Sequence, residues 1–305
     1  MRSAVGLVAL ALVAAAGCGP APRIGEPAAP AAVLGPDELV AAHNAWVDSR
    51  PLLWARASLM LNFPTGEADG RRLQHDLDGH VFVERPERLF VHGQMLGQEV
   101  FTAGMNPDRF WLWIRPNVNT VWTGRRGGRG ERDFVLAPAD LMTALGLFRI
   151  DLAPGADAEL VALPRHYVLA ERRPGPGRRP ARRTWFDRVT LRPVRVDLFD
   201  EAGRRLLMAE LLAYDRTADA DVCTVYRARF YGDADEVDLV LRLTDVRLDK
   251  KPNARVFEYR CPPGAKEHDL DAAPAAAPAS PPATDAPTTP DAPAELPAGD
   301  GPVAP

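Results

Sequence analysis

Only three of the 305 residues are cysteines, Cys18, Cys223 and Cys261, and no two form a C-x-x-C pair. That spacing excludes a thioredoxin-like redox site. The six histidines, His43, His75, His80, His92, His166 and His268, make no recognisable metal motif. In HDLDGH, the densest polar stretch, strand alternation sets Asp76, Asp78 and His80 on one face and His75 on the other. This reads as a solvated strand face in preference to a metal site. A nucleophile elbow, a serine-triad signature and a phosphate loop are all missing. GRRGGRGER contains glycines and arginines but is expected to run into a short strand and not a helix, so a P-loop fails. No catalytic set, cofactor or metal is therefore expected, and the chain does not read as an enzyme. The formal net charge of -4 gives no footprint for nucleic acid. The longest apolar run, Val5 to Ala16, is too short to span a bilayer.

That short run is nonetheless informative. Arg2 supplies a positive start, the apolar stretch follows, and Ala15-Ala16-Gly17 offers small residues directly before Cys18. The arrangement resembles a bacterial lipobox, in which the cysteine is acylated and becomes residue one after cleavage. A plain signal peptide with an incidental cysteine is the alternative. Loss of Arg2 would take the net charge from -4 to -5. Buried acyl chains, at about 0.8 kcal/mol per CH₂, would make anchoring effectively permanent. The expected location is extracytoplasmic, on a bacterial membrane. Gly19 stands where some enteric bacteria carry a retention aspartate, so the outer membrane facing the periplasm is favoured.

The composition divides the chain into residues 1–17, a lipoprotein signal peptide; 18–36, the lipidated cysteine and a Pro/Ala-rich tether; 37–270, one folded domain; and 271–305, a Pro/Ala-rich tail. The tether would reach several tens of ångströms if extended. The tail from Ala272 has no Lys, Arg or aromatic residue and cannot bury enough surface to fold.

The folded domain reads as mainly β, of the α+β type. Pro36-Asp37-Glu38 opens a helix whose Leu39, Val40, Trp46 and Val47 share a face, and Pro51 stops it. LLWARASLMLNF, RRLQHDLDGHVFVE, ERLFVHGQ, QEVFTAG, DRFWLWI and NTVWTG are strand-length runs bounded by turn residues. APADLMTALGLF predicts a second helix with a stripe of Leu141, Met142, Leu145 and Phe148. Seven further strands run from AELVAL to EVDLVLRLTDVRLD. Short connections predict antiparallel neighbours. The result is one large curved antiparallel sheet, an unclosed half-barrel covered by about two helices. Alternation places Val237, Leu239, Leu241 and Leu243 opposite Asp238, Arg242 and Thr244. It likewise places Val194, Val196 and Leu198 opposite Arg195 and Asp197, giving one apolar and one wet face. In DRFWLWI, Trp111 and Trp113 share one face and Phe110, Leu112 and Ile114 the other. A strand apolar on both faces is covered on both, by a helix outside or a ligand inside, or simply by aromatic core packing.

RPVRVDLFDEAGRRLLMAELLAYDR, DEVDLVLRLTDVRLDKKPNARVFEYRCPPGAKEHDL and the ending Val256-Phe257-Glu258-Tyr259-Arg260-Cys261-Pro262-Pro263-Gly264 resemble the second half of the LolA/LolB-like lipoprotein carriers. That superfamily includes LppX- and LprG-type lipoproteins. The resemblance covers residues 37 to 270 and implies an unclosed barrel whose apolar cavity holds acyl chains of a lipid or lipoprotein. It also implies a membrane-touching apolar loop, for which Met95 and Leu96 in HGQMLGQ are placed. The plainer alternative, and the one expected here, is a turn that buries both. No substrate-gating arginine aligns.

Side-chain alternation nominates Phe101, Phe110, Leu112, Met142, Leu145, Leu198, Leu207, Leu239 and Leu241 as cavity lining, some of them as plain core. The expected partner is a lipid or acylated lipoprotein, bound by a monomer anchored through Cys18. The competing expectation is a structural or sensory envelope lipoprotein with a filled interior. Cys223 and Cys261 form either a disulfide or free thiols. Arg125 to Arg132 and Arg172 to Arg183 read as hairpin loops with solvated arginines, with contact to anionic headgroups as the sharper alternative.

Overall fold

The computed structural model describes residues 34–64, 72–115, 119–132, 134–152, 158–173, 179–217, 220–232 and 236–272. Cys18 with the signal stretch and tether up to residue 33, the tail from 273 and the loop 174–178 lie outside the described residues. No helix among the described residues is long and apolar enough to cross a membrane.

Pro36 and two acids in the first turn start α1 (Pro36–Asp48). The Gly35 amide donates to Glu38 Oε2 at 2.9 Å, satisfying one orphan donor at this end. Leu39, Trp46 and Val47 are buried as expected, joined by His43, while Val40 is half-buried. At the other end, two guanidinium groups meet the last carbonyls. Arg50 donates to Trp46 and to the distant Asp221 carbonyl, and Arg85 donates to Val47. Cations suit this negative helix end.

Six strands follow: β1 (Leu52–Pro64), β2 (Arg72–Glu84), β3 (Arg88–Met95), β4 (Gln98–Met105), β5 (Arg109–Ile114) and β6 (Thr120–Arg125). A single helical turn, α2 (Arg129–Arg132), and α3 (Pro138–Ala144) separate them from the second set. That set is β7 (Ala158–Ala162), β8 (His166–Arg172), β9 (Pro180–Asp187), β10 (Pro193–Phe199), β11 (Arg205–Thr217), β12 (Ala220–Tyr231) and β13 (Glu236–Arg247). A 3₁₀ turn at Ala254–Phe257 and a short β14 (Lys266–Asp269) end the described chain.

All fourteen strands form one unclosed sheet in the order β14-β6-β5-β4-β3-β2-β1-β13-β12-β11-β10-β9-β8-β7. The two meanders meet where β1 pairs with β13, and the longest strands, β2, β1, β13, β12 and β11, sit together there. One pairing departs from the antiparallel expectation: β14 runs parallel to β6. Its four residues are all exposed, so no apolar alternation announces it.

The β6–β7 connection joins opposite ends of this sheet order, and it carries α2 and α3. Leu141, Met142 and Ala144 of α3 pack in the main core with inward residues of both meanders. Those include Leu59 and Leu61 of β1, Val81 of β2, Phe101 of β4, Phe110 of β5, Leu207 of β11 and Leu241 of β13. A second cluster sets Leu39 of α1 against Ile150, Tyr167, Leu169 and Phe186. Asn44 pins it, exchanging two hydrogen bonds of 2.9 Å with the Ile150 backbone.

The outer face is less wet than alternation implied. Trp111, Trp113 and Val121 form a third cluster with Phe90, Tyr259 and Ala265, so the outer cover of β5 is the C-terminal segment and not a helix. On β10, Asp197 is 1% exposed. Arg195 holds it through two 3.0 Å hydrogen bonds, and Arg205 approaches at 3.5 Å. Register shifts fall at both ends of β10, while Arg195 to Leu198 keep an unbroken register with β9, so Arg195 and Asp197 share the outer face as alternation predicts.

Candidate functional site

The main concavity is an open groove of about 990 Å³ between the chain that enters α3 and the strands of the second meander. One wall is Phe134, Val135, Ala137, Ala139 and Asp140; the other comes from β9 to β12 and includes Leu198, Phe199 and Leu206. Its size falls at the upper end of ordinary ligand sites, about 300–1,000 Å³. Phe134, Val135, Leu198 and Leu206 are each only half-buried, so apolar surface is left facing the groove. Two structural causes produce this wall. Pro138 fixes the start of α3, with Ala137 before it extended, so that Phe134 and Val135 stay outside the helix. The tight β10–β11 hairpin, with Gly203 at φ 82°, turns the opposite wall back on itself.

Charged residues ring this apolar strip. Arg182 meets Glu171 through two 2.6 Å hydrogen bonds and lies 4.1 Å from the Phe148 ring centroid. Arg173 donates to the Phe199 carbonyl at 2.7 Å, and Arg204 to Asp200 at 2.7 Å. Asp140 borders the groove, and burial, reinforced by the nearby Glu131 carboxylate, pushes its carboxyl up to about 7. Glu131 itself accepts from the Gly127 amide at 2.7 Å and from Arg126.

These contacts revise two expectations. GRRGGRGER leads into the single turn α2 and not into a short strand. The P-loop still fails, because the chain's own Glu131 occupies the Gly127 N–H. Nor are the basic stretches simply solvated: Arg126, Arg173 and Arg182 are all engaged with protein groups.

Of the nine nominated lining residues, Leu198 borders the groove. Phe101, Phe110, Leu112, Met142, Leu145, Leu207, Leu239 and Leu241 are buried together in the main core, against which Leu198 also packs. Sequence reasoning missed Phe134, Val135, Phe199 and Leu206. The first two lie in a coil without periodicity, and Phe199 and Leu206 flank a hairpin and a register shift.

The hairpin at Met95 and Leu96 also corrects its expectation. Met95 is partly buried against the core, but Leu96 is 99% exposed. The two cysteines stand apart. Cys223, on β12, is buried, and Cys261 is exposed beside the segment that covers β5. Five strands separate β5 from β12 in the sheet, whereas a disulfide needs Cα atoms within about 7 Å. Both thiols are free.

In HDLDGH, Asp76 and Asp78 are exposed, in keeping with a solvated face, while His75 packs beside Phe63 with ring centroids 5.4 Å apart. His43 is fully buried under α1 and hydrogen-bonds the Phe148 carbonyl at 2.9 Å. Burial lowers its pKa to about 4, with the Phe148 hydrogen bond opposing.

No protein-family model and no curated protein sequence matches this chain. Solved structures similar to it include a LolA superfamily protein from Nitrosomonas europaea, with a TM-score of 0.48 at 12% identity over 74% of this chain and 99% of that one. Another is a putative outer membrane lipoprotein-sorting protein domain from Vibrio parahaemolyticus, at 0.47 and 13%, over 72% and 94%. A DUF1329 family protein from Desulfovibrio piger follows at 0.44 and 15%, over 73% and 95%.

Proposed function

We propose that this chain is an extracytoplasmic lipoprotein, anchored through Cys18, that holds acyl chains of a lipid or lipoprotein in the groove between α3 and β9–β12. It acts without catalysis, in envelope lipid or lipoprotein trafficking, at the outer membrane. The observation that carries this reading is the apolar strip of Phe134, Val135, Leu198 and Leu206, left half-buried in a groove of about 990 Å³. Covering such surface releases about 25 cal/mol per Å². The exposed Leu96 adds an apolar point of contact with a membrane.

A second reading rests on a different observation. The eight buried lining candidates fill the half-barrel beneath α3, as expected of a structural or sensory lipoprotein with a solid interior. Mass spectrometry of lipid co-purifying with the unlipidated core, residues 37–270, separates the two. The carrier reading expects bound acyl lipid in the parent and its loss in Leu198→Glu, with the thermal melt retained. A lipid-free parent that also refuses added lipid overturns it.

A further inference from the structure

Five carboxyl groups line the groove beside α3, and the surroundings of one set it apart. Glu131 accepts from the Gly127 amide and from Arg126, Glu171 from Arg182, and Asp200 from the Arg204 amide and side chain. Glu201 is exposed to water. Asp140, in the first turn of α3, is half-buried and makes no hydrogen bond or ion pair with any described residue.

The setting favours a neutral carboxyl. Phe134, Val135 and Ala139 stand on its own wall, and Leu198, Phe199 and Leu206 on the facing one. Burial disfavours the charged form, and the Glu131 carboxylate on α2 adds to that, while Arg126, already engaged by Glu131, opposes it. The carboxyl is thereby pushed up to about 7. The cations of the facing wall are committed elsewhere. Arg182 and Arg204 hold Glu171 and Asp200, Arg205 lies 3.5 Å from Asp197, and Arg173 donates to the Phe199 carbonyl. Tyr231 of β12 is the remaining titratable group on that wall.

A neutral carboxyl carries one O–H donor beside its acceptor oxygen. In the open groove, water accepts from it. A ligand laid over Phe134, Val135, Leu198 and Leu206 removes that water, and an unmatched O–H then weakens binding. An alkyl chain offers no acceptor, whereas the ester or amide carbonyl at the head of an acyl chain does. A ligand ammonium is the other chemical match for a carboxyl, and the four arginines of the facing wall disfavour it. A few polar groups in a mostly apolar site set the ligand's orientation.

We propose that the neutral Asp140 carboxyl donates a hydrogen bond to the ester or amide carbonyl of an acyl ligand, so that the groove selects carbonyl-bearing chains over plain alkyl ones. This inference rests on the acyl-carrier reading and adds to it the chemical class recognised and the residue that recognises it. It also couples binding to protonation: cargo held below neutral pH loosens as pH rises and Asp140 ionises.

The test is calorimetric titration of the full chain with a short-chain diacyl phosphatidylcholine and with its dialkyl ether analogue, each below its micellar concentration. At about pH 6 the ester is expected to bind ~3–10-fold more tightly than the ether, the effect of one hydrogen bond. Asp140→Leu removes that preference. Asp140→Asn, which keeps an N–H donor, retains it, and thermal melts verify the fold of both. The ester affinity of the parent falls severalfold between about pH 6 and about pH 8, and stays flat in Asp140→Asn. Three outcomes overturn the inference and leave the carrier reading standing: equal binding of ester and ether by the parent, an undiminished preference in folded Asp140→Leu, or an affinity that rises with pH, as recognition of an ammonium by ionised Asp140 would give. Binding of neither lipid at either pH overturns both.

Discussion

Leu59 of β1 lies opposite Leu241 of β13, and this pair closes the seam between two meanders from opposite ends of the domain. Both side chains are buried, at 1% and 4% exposure. The seam sits between the longest strands, so the sheet's centre depends on contacts far apart in sequence. Replacing either leucine with alanine removes apolar burial and leaves a cavity, at a cost of about 2–4 kcal/mol. Because the two face each other, Leu59→Ala and Leu241→Ala together should depart from additivity by about 0.5 kcal/mol or more. Urea unfolding of the single and double variants measures both quantities. Additive, sub-kilocalorie effects would contradict the pairing.

Burial of neutral His43 predicts sensitivity to acid. Its folded pKa of about 4 lies below the ordinary histidine value of 6.5 that holds in the unfolded chain. The unfolded state therefore binds the proton first. This group's stabilisation is complete above pH 6.5 and is lost as pH falls from there towards 4, by a total of about 3 kcal/mol. Asp140 works in the opposite sense, since its folded pKa is raised to about 7 from 3.8 and the folded state holds its proton longer. Stability profiles from pH 4 to 8 should flatten on the acid side for His43→Gln. For Asp140→Asn the gain over the parent should be largest near pH 8 and vanish near pH 4. An acid limb that is unchanged in His43→Gln would sink the assignment.

The β3–β4 hairpin predicts a separation of stability from membrane contact. Leu96 at φ 52° and Gly97 at φ 77° are both left-handed, the conformation for which Asn-Gly is favoured. A leucine there is strained and, at 99% exposure, gains nothing from the core. Leu96→Asn should stabilise the fold by about 0.5–1 kcal/mol. It should also lower the affinity of the unlipidated core for phospholipid vesicles, as read by co-sedimentation. Undiminished vesicle binding would remove Leu96 from the membrane-contact assignment.

Strands were legible wherever apolar residues alternated between turn signals. The runs from LLWARASLMLNF to EVDLVLRLTDVRLD fall on β1 to β13, and Pro36-Asp37-Glu38 and Ala137-Pro138 open the two longer helices. Asp197 shows what alternation leaves undecided on β10. It stays on the outward face with Arg195, as alternation predicts, but Arg195 and Arg205 fold over it and take it out of solvent. The groove was illegible for a related reason. Phe134 and Val135 lie in coil, and their apolar character matters only because the β6–β7 connection carries them against β10 and β11. The pairing of His80 with His92 gave no signal in sequence either, since it depends on the register of β2 against β3.

By itself the sequence determined the local order: which segments are strands, where the two longer helices begin, and that Cys18 follows a short apolar run. Periodicity, proline and turn residues act over a few positions, so a linear reading captures them. The tertiary structure alone decided which faces met. It brought β1 against β13, left both thiols free, buried most of the nominated lining and opened the groove elsewhere. Those outcomes depend on long-range register and on close backbone approach, which no short stretch of residues encodes.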